Sequence, residues 1–231
     1  MSICGSIARE LEITPRDTMN PNDYIITRKR KKYKFAKIFN SPICFEFDEW
    51  KKRAVDVIEL GAGTGLFSVE LATRHPEKTY VAIDVKADRL QKGAYEAAAR
   101  GLENIVFIRA RADQITELFP AHSASELWLT FPDPFPKKRS ERRRMCHAYF
   151  LDKYAQVLKK NGTFYLKHDN LSFFTWSLEQ LVTSKWHIDE LSFDLHESDL
   201  ADDYKILTTY ETRWLKEGAL TNFLAARKLI Q

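Results

Sequence analysis

Cysteine is scarce in this chain: Cys4, Cys44 and Cys146 are odd in number, far apart and in no Cys-x-x-Cys pair, and none of the six histidines falls in a metal-ligand spacing. That excludes a disulfide framework and structural zinc as organising devices, and no metal is expected. Long hydrophobic runs are missing too, since no stretch approaches the roughly eighteen apolar residues of a membrane span. The N-terminus carries no basic-then-apolar leader with a small-residue cleavage site, so the expectation is a soluble, cytoplasmic protein with no membrane partner. Internal repeats and low-complexity tracts are absent. With 231 residues, 44% of them apolar, the chain can bury one substantial core and nothing forces a second domain. Residues 1–27 mix polar residues with Pro15, Asn20 and Pro21 and lack periodicity, which predicts a weakly ordered extension ahead of a single domain over 28–231.

Acid is absent where base is densest. Residues 28–37 hold seven lysines and arginines and no acid, and residues 137–144 hold six with Glu141 alone among them. The net charge is +4, so these eighteen positions carry +12 and the rest of the chain −8. Such clustering is the footprint of a phosphate-backbone binder, the alternative being a solvated face.

Glycine is sparse as well, yet three of the eight fall within five positions, in Glu59-Leu60-Gly61-Ala62-Gly63-Thr64-Gly65. The run before them, residues 55–60, is short, apolar and β-branched, and Leu66, Phe67, Val69, Leu71 and Ala72 then recur at helical spacing. Strand, glycine turn and helix follow in that order, and the glycines allow a backbone to approach a nucleotide-like ligand. The nicotinamide fingerprint needs its third glycine at position 66, where leucine stands. An acid two residues before Gly-x-Gly-x-Gly resembles the first motif of Rossmann-like S-adenosylmethionine methyltransferases; the alternative is a tight turn in another α/β domain.

Beyond this point strands alternate with helices, which predicts a doubly wound, mostly parallel sheet. Strands are expected at 79–84, 105–109, 126–130 and 163–167, and helices at 86–100, 115–119, 145–159 and 171–184, with Asn161-Gly162 stopping the third helix. Residues 188–195 and 222–229 suit an antiparallel C-terminal edge pair. The aromatic segment containing Phe45, Phe47 and Trp50 is expected to pack on the domain.

Ligands of an open parallel sheet bind outside the carboxyl ends of its strands, and four of those ends carry an acid. Asp84 stands where a carboxylate would accept ribose hydroxyls, or would cap the following helix. Asp113 could accept from an adenine amino group or cap the short helix beginning there. Asp133 lies in Phe131-Pro132-Asp133-Pro134-Phe135-Pro136, a rigid loop, and an acid between two prolines is hard to explain as turn chemistry. Asp169, taken alone, reads as a helix cap.

This ensemble resembles the bacterial tRNA (guanine-N7)-methyltransferases over roughly residues 24–229. Residues 131–139 look like that family's signature, with Phe135 and Pro136 where tryptophan and histidine are commoner; Arg139, Arg142, Arg143 and Arg144 fall in its RNA-contacting stretch; and Thr208-Thr209-Tyr210-Glu211 resembles its C-terminal substrate motif. The resemblance implies a class I methyltransferase fold, S-adenosylmethionine as cofactor and tRNA as partner. It puts Glu59, Asp84, Asp113 and Asp133 at cofactor positions, beside Gly61, Gly63 and Gly65, and Lys137, Asp169 and Thr208 to Glu211 at substrate positions. Asp84 stands where many members carry glutamate.

The residue types suit that reaction. Guanine N7 already has an in-plane lone pair, so positioning is the main task, and Asp133 would stabilise the positive charge that methylation leaves on the imidazole ring. Phe135 or Tyr210 could stack on an exposed base, or could be ordinary packing aromatics. Two other readings fit the sequence: an amino-directed methyltransferase, whose usual Asn/Asp-Pro-Pro-aromatic motif differs from Asp133-Pro134-Phe135, and a non-catalytic RNA-binding module.

Overall fold

Strands form where short apolar, β-branched runs recur. They are β1 (Cys44–Glu46), β2 (Val57–Leu60), β3 (Tyr80–Asp84), β4 (Ile105–Arg109), β5 (Ala124–Thr130), β6 (Leu158–His168), β7 (Trp186–Ser192) and β8 (Asn222–Lys228) in a computed structural model describing residues 40–229. The expected extension over 1–27 and the basic stretch 28–37 lie outside the described residues. All eight strands join one sheet in the order β1-β4-β3-β2-β5-β6-β8-β7, in which β1 to β6 are mutually parallel and β8 runs antiparallel to both its neighbours. The chain fills outward from β2 in both directions, which opens a crevice between the carboxyl ends of β2 and β5.

Helices α1 (Leu66–Arg74), α2 (Ala87–Ala99), α3 (Ile115–Leu118), α4 (Ala148–Val157), α5 (Leu171–Thr183) and α6 (Glu211–Leu215) cover the sheet. Coverage on both faces explains why every residue of β2 and β3 is buried. Trp128 of β5 anchors the centre, tilted on Phe67 of α1 and stacked 4.1 Å from Tyr165 of β6. Among the described residues no helix is long and apolar enough to cross a membrane.

The aromatic segment does pack on the domain: Phe45 and Phe119 meet Trp50 edge-on, and Trp50 Nε1 donates to Leu118 O at 2.9 Å. It also supplies β1, a three-residue strand too short to show a period. The helix expected over 145–159 is the main departure. A 3₁₀ turn occupies Lys138–Arg143, α4 starts only after His147, and β6 begins at Leu158, leaving Asn161 and Gly162 inside the strand. Leu158 pairs with Ala124, and the register shifts before Thr163 meets Glu126. Gly162 permits that shift, because a Cβ there would stand 3.1 Å from Ala124 O.

Candidate active site

After β2 the backbone turns through Gly61, Gly63 and Gly65, all with φ between 56° and 69°. A Cβ on Gly65 would stand 2.7 Å from Phe107 Cε1, and one on Gly93 of α2 would run into the Thr64 carbonyl. The two glycines therefore let α2 and β4 press on the loop from behind. Gly61 faces the other way, into a cavity of about 550 Å³ at the carboxyl edge of the sheet.

That cavity gathers Asp84, Asp113 and Asp133, three of the four predicted strand-end acids, together with Gly61, Arg142 and Arg143. Asp84 joins two backbones: Oδ2 accepts from Gly63 N at 2.8 Å and Oδ1 from Lys86 N at 2.7 Å. Asp84 thus braces the turn into α2 without capping that helix, whose N-cap is Lys86 with no side-chain cap, and it still lines the cavity. The carboxylate of Asp113 is held by Arg111, with Nε at 2.9 Å and a second, shorter contact from the other nitrogen. It caps nothing, for α3 has no side-chain cap.

Asp133 is carried by a strained loop. Phe131 and Phe135 adopt φ of 51° and 39°, conformations that cost a bulky residue on the order of 1–3 kcal/mol each and persist only when their surroundings over-determine them. Here Phe131 N donates to Lys167 O at 2.9 Å, the Pro132 carbonyl faces His168 Nε2 at 2.9 Å, and Arg144 donates twice to Phe135 O at 3.2 and 3.3 Å. Asp133 is exposed and, among the described residues, makes no hydrogen bond or ion pair, so its carboxylate is unspent.

Glu59 is the opposite case. It is 1% exposed and lies behind the glycine loop, with Oε2 accepting from Ser68 Oγ and Oε1 from Thr130 Oγ1 at 2.7 Å. Burial pushes its carboxyl up to about 7, against the opposing effect of those hydroxyls. Its visible work is to tie β2, α1 and β5 together beneath the crevice.

The Thr208 to Glu211 motif divides by direction. Glu211 is buried and receives Lys167 Nζ at 2.8 Å, Thr208 N at 3.1 Å, and Thr221 Oγ1 at 3.0 Å, with His196 Nε2 2.8 Å away. Burial pushes the Lys167 ammonium down and the charge of Glu211 opposes it. Thr208 closes the turn by accepting from Glu211 N at 3.0 Å. The two exposed members turn towards the site: Thr209 meets Thr64 of the glycine loop at 3.1 Å, and Tyr210 packs on Phe131 with ring centroids 5.1 Å apart. Asp169 accepts from the Tyr210 hydroxyl at 3.0 Å, while the cap of α5 is its neighbour Asn170, whose Oδ1 accepts from Phe173 N. Expected as a cap when taken alone, Asp169 is instead a partner of the motif.

In the basic stretch the residues also separate. Lys137, Arg139 and Arg142 are exposed. The Arg143 guanidinium lies 4.3 Å over the Phe135 ring, and that of Arg144 lies 4.5 Å over Trp176 while it holds the Asp133 loop. The cavity also takes in Arg89, Arg111, Met145 and Tyr149, which the sequence reading did not select. For Arg89 and Arg111 a signal existed, since both closely follow the carboxyl ends of strands. Among the described residues no group of three or more histidines, cysteines or acids could hold a metal ion.

Comparison with known proteins agrees with this geometry. Residues 53–223 match a family model described as "Putative methyltransferase". The curated tRNA (guanine-N(7)-)-methyltransferase of Brevibacillus brevis is 36% identical over 161 residues, covering 70% of this chain and 75% of that protein. That of Mycoplasmopsis synoviae is 35% identical over 208 residues, covering 90% and 96%. Among solved structures, the 16S rRNA methyltransferase KamB shares the fold with a TM-score of 0.57 at 16% identity, over 79% of this chain and 90% of that one. A mutant 16S rRNA (adenine(1408)-N(1))-methyltransferase from Catenulisporales acidiphilia, solved with cosubstrate SAM, shares it at 0.53 and 14%, over 92% of each. With relatives this similar matched over most of their length, the chain belongs to the tRNA (guanine-N(7)-)-methyltransferase family.

Proposed function

We propose that this protein transfers a methyl group from S-adenosylmethionine to N7 of a guanine in tRNA, in the variable-loop region by family resemblance. The observation that carries the reading is an unspent carboxylate, Asp133, facing a carboxyl-edge cavity that also holds Asp84 and Asp113 and is bordered by a basic turn. The residues present fit the cofactor. A volume of about 550 Å³ is within the usual range for small-molecule sites, and Ile83, Val85 and Ala110 offer an apolar wall between Asp84 and Asp113. Asp84 would accept from ribose hydroxyls and Asp113 from the adenine amino group, with Arg111 sharing or yielding its hold. When bound, S-adenosylmethionine supplies an electrophilic methyl on a sulfonium.

Guanine N7 needs no proton removed, so the chain's own residues orient and stabilise. Asp133 would offset the positive charge that develops on the base, Lys137, Arg139 and Arg142 would meet phosphates, and Tyr210 and Thr209 would border the substrate on the side of Asp169. Acting on tRNA implies the cytoplasm. Incubating an unmodified tRNA transcript with methyl-labelled cofactor and digesting it to nucleosides should yield labelled N7-methylguanosine. A different labelled nucleoside would favour an amino-directed enzyme, and no label a binding module.

A further inference from the structure

A carboxylate can stabilise a charge only where its backbone is held still, and residues 132–136 of the loop carrying Asp133 have no secondary structure of their own. The contact nearest Asp133 comes from His168, a buried residue at the end of β6 whose Nε2 faces the Pro132 carbonyl. We propose that His168 is a positioning residue that sets the Asp133 carboxylate against the reacting base, an inference that rests on Asp133 having the role proposed for it.

The geometry is directional. His168 Nε2 lies 2.9 Å from the carbonyl of Pro132, the residue before Asp133. Its other nitrogen, Nδ1, has Asn170 N at 2.8 Å and Asp169 Oδ1 at 3.2 Å. Whichever of these Nδ1 serves, Nε2 faces an oxygen that can only accept, so Nε2 carries the proton and donates it. The ring is buried and packed between aromatics, its centroid 4.4 Å from that of Phe173 and 6.1 Å from that of Phe131, and Asn222 Nδ2 donates to its backbone carbonyl at 2.9 Å. With Phe131 N on Lys167 O, two successive residues of β6 grip two successive residues of the loop, immediately ahead of Asp133. The next residue of the same turn, Asp169, holds Tyr210, so one short segment aligns the Asp133 loop with the exposed part of the C-terminal motif.

Two near-isosteric replacements separate the two ends of the ring. In His168→Asn the oxygen can take the place of Nδ1 but nothing reaches Pro132; in His168→Gln the amide nitrogen can take the place of Nε2. Single-turnover methylation of a tRNA transcript at saturating cofactor should slow by about 10- to 100-fold in His168→Asn, the scale expected when a reacting group is misplaced by an ångström or less. His168→Gln should recover most of that rate, and KM for tRNA and for cofactor should be unchanged in both. On an Asp133→Asn background, His168→Asn should cost little more, because it acts through the group already lost. Melting curves identify the folded variants; if His168→Asn does not fold, His168→Phe, which keeps the ring between Phe131 and Phe173, must show the same loss. A wild-type rate without the Pro132 contact, a His168→Gln as slow as His168→Asn, or a fully additive loss on the Asp133→Asn background would each overturn the proposal. If Asp133→Asn itself reacts at the wild-type rate, the catalytic reading fails and the positioning proposal falls with it. A slow Asp133→Asn beside a fast His168→Asn would sink the positioning role alone.

Discussion

Tyr210 donates its hydroxyl to Asp169 Oδ2 at 3.0 Å, joining the C-terminal motif to the turn after β6 across 41 positions of sequence. Burial and this donation push the phenol up to about 12, so it stays a donor throughout the physiological range. Tyr210→Phe keeps the ring that packs on Phe131 and removes the bond. Since Tyr210 is 44% exposed, the loss should be at the low end for a hydrogen bond to a charged acceptor, about 1.5 kcal/mol or an approximately tenfold rise in KM for tRNA. Cofactor affinity should not change. Steady-state kinetics with each substrate varied checks both halves, and a loss confined to the cofactor would contradict the placement.

Asp84 accepts from the glycine loop and from the start of α2, and it lines the cavity. Asp84→Ala should therefore weaken S-adenosylmethionine binding by roughly ten- to a hundredfold, the worth of about 1.5–3 kcal/mol for a bond to a charged acceptor, while the sheet remains folded. Calorimetric titration of the purified variant measures it. Unchanged affinity would leave Asp84 as a loop brace only.

Glu59 makes stability depend on pH. Its carboxyl is raised from 4.5 to about 7, chiefly by burial, so between these values the folded chain holds a proton that the unfolded chain releases. The contribution is fully present below about 4.5 and is lost as pH rises towards 7, by an amount on the order of a few kcal/mol. Glu59→Gln, which keeps an acceptor for one hydroxyl and offers a donor to the other, should flatten that part of the stability curve. Urea titrations at pH 5 and pH 8 should show the wild type losing stability over this interval and the variant losing less.

Much of this was legible because it is local. The glycine turn, the alternation after it and the acids at strand ends lie within short windows, and they led to the cavity holding Asp84, Asp113 and Asp133. What could not be read depends on partners far along the chain. An acid near the end of a strand faces a ligand or a core with the same spelling, and only Ser68 and Thr130 reveal which way Glu59 points. Asn161-Gly162 looks like a helix stop until Ala124 appears opposite Leu158. Asp169 and Asn170 are adjacent potential caps, and the choice between them follows from Tyr210 being near enough to take the first.

The arginines of the basic turn divide by what they already hold. Exposed arginines contacting phosphate release counterions, so each contact steepens the log-log salt dependence of binding by about 0.7 to 0.9. Arg139 and Arg142 are exposed, and neither appears in any hydrogen bond or ion pair among the described residues. Arg144 is committed to Phe135 O and to the Trp176 ring. Replacing Arg139 and Arg142 together by alanine should weaken tRNA binding and flatten the slope by about 1.4 to 1.8 units, with cofactor affinity unchanged. Arg144→Ala should leave the slope nearly as it was and instead lower the methylation rate, because it frees the far end of the Asp133 loop. Binding measured by fluorescence anisotropy from low to moderate salt, with turnover assayed in parallel, separates the two. A flattened slope in Arg144→Ala with normal turnover would mean that this arginine leaves Phe135 for the nucleic acid. An unaltered slope in the Arg139 and Arg142 double variant would make the turn a solvated face.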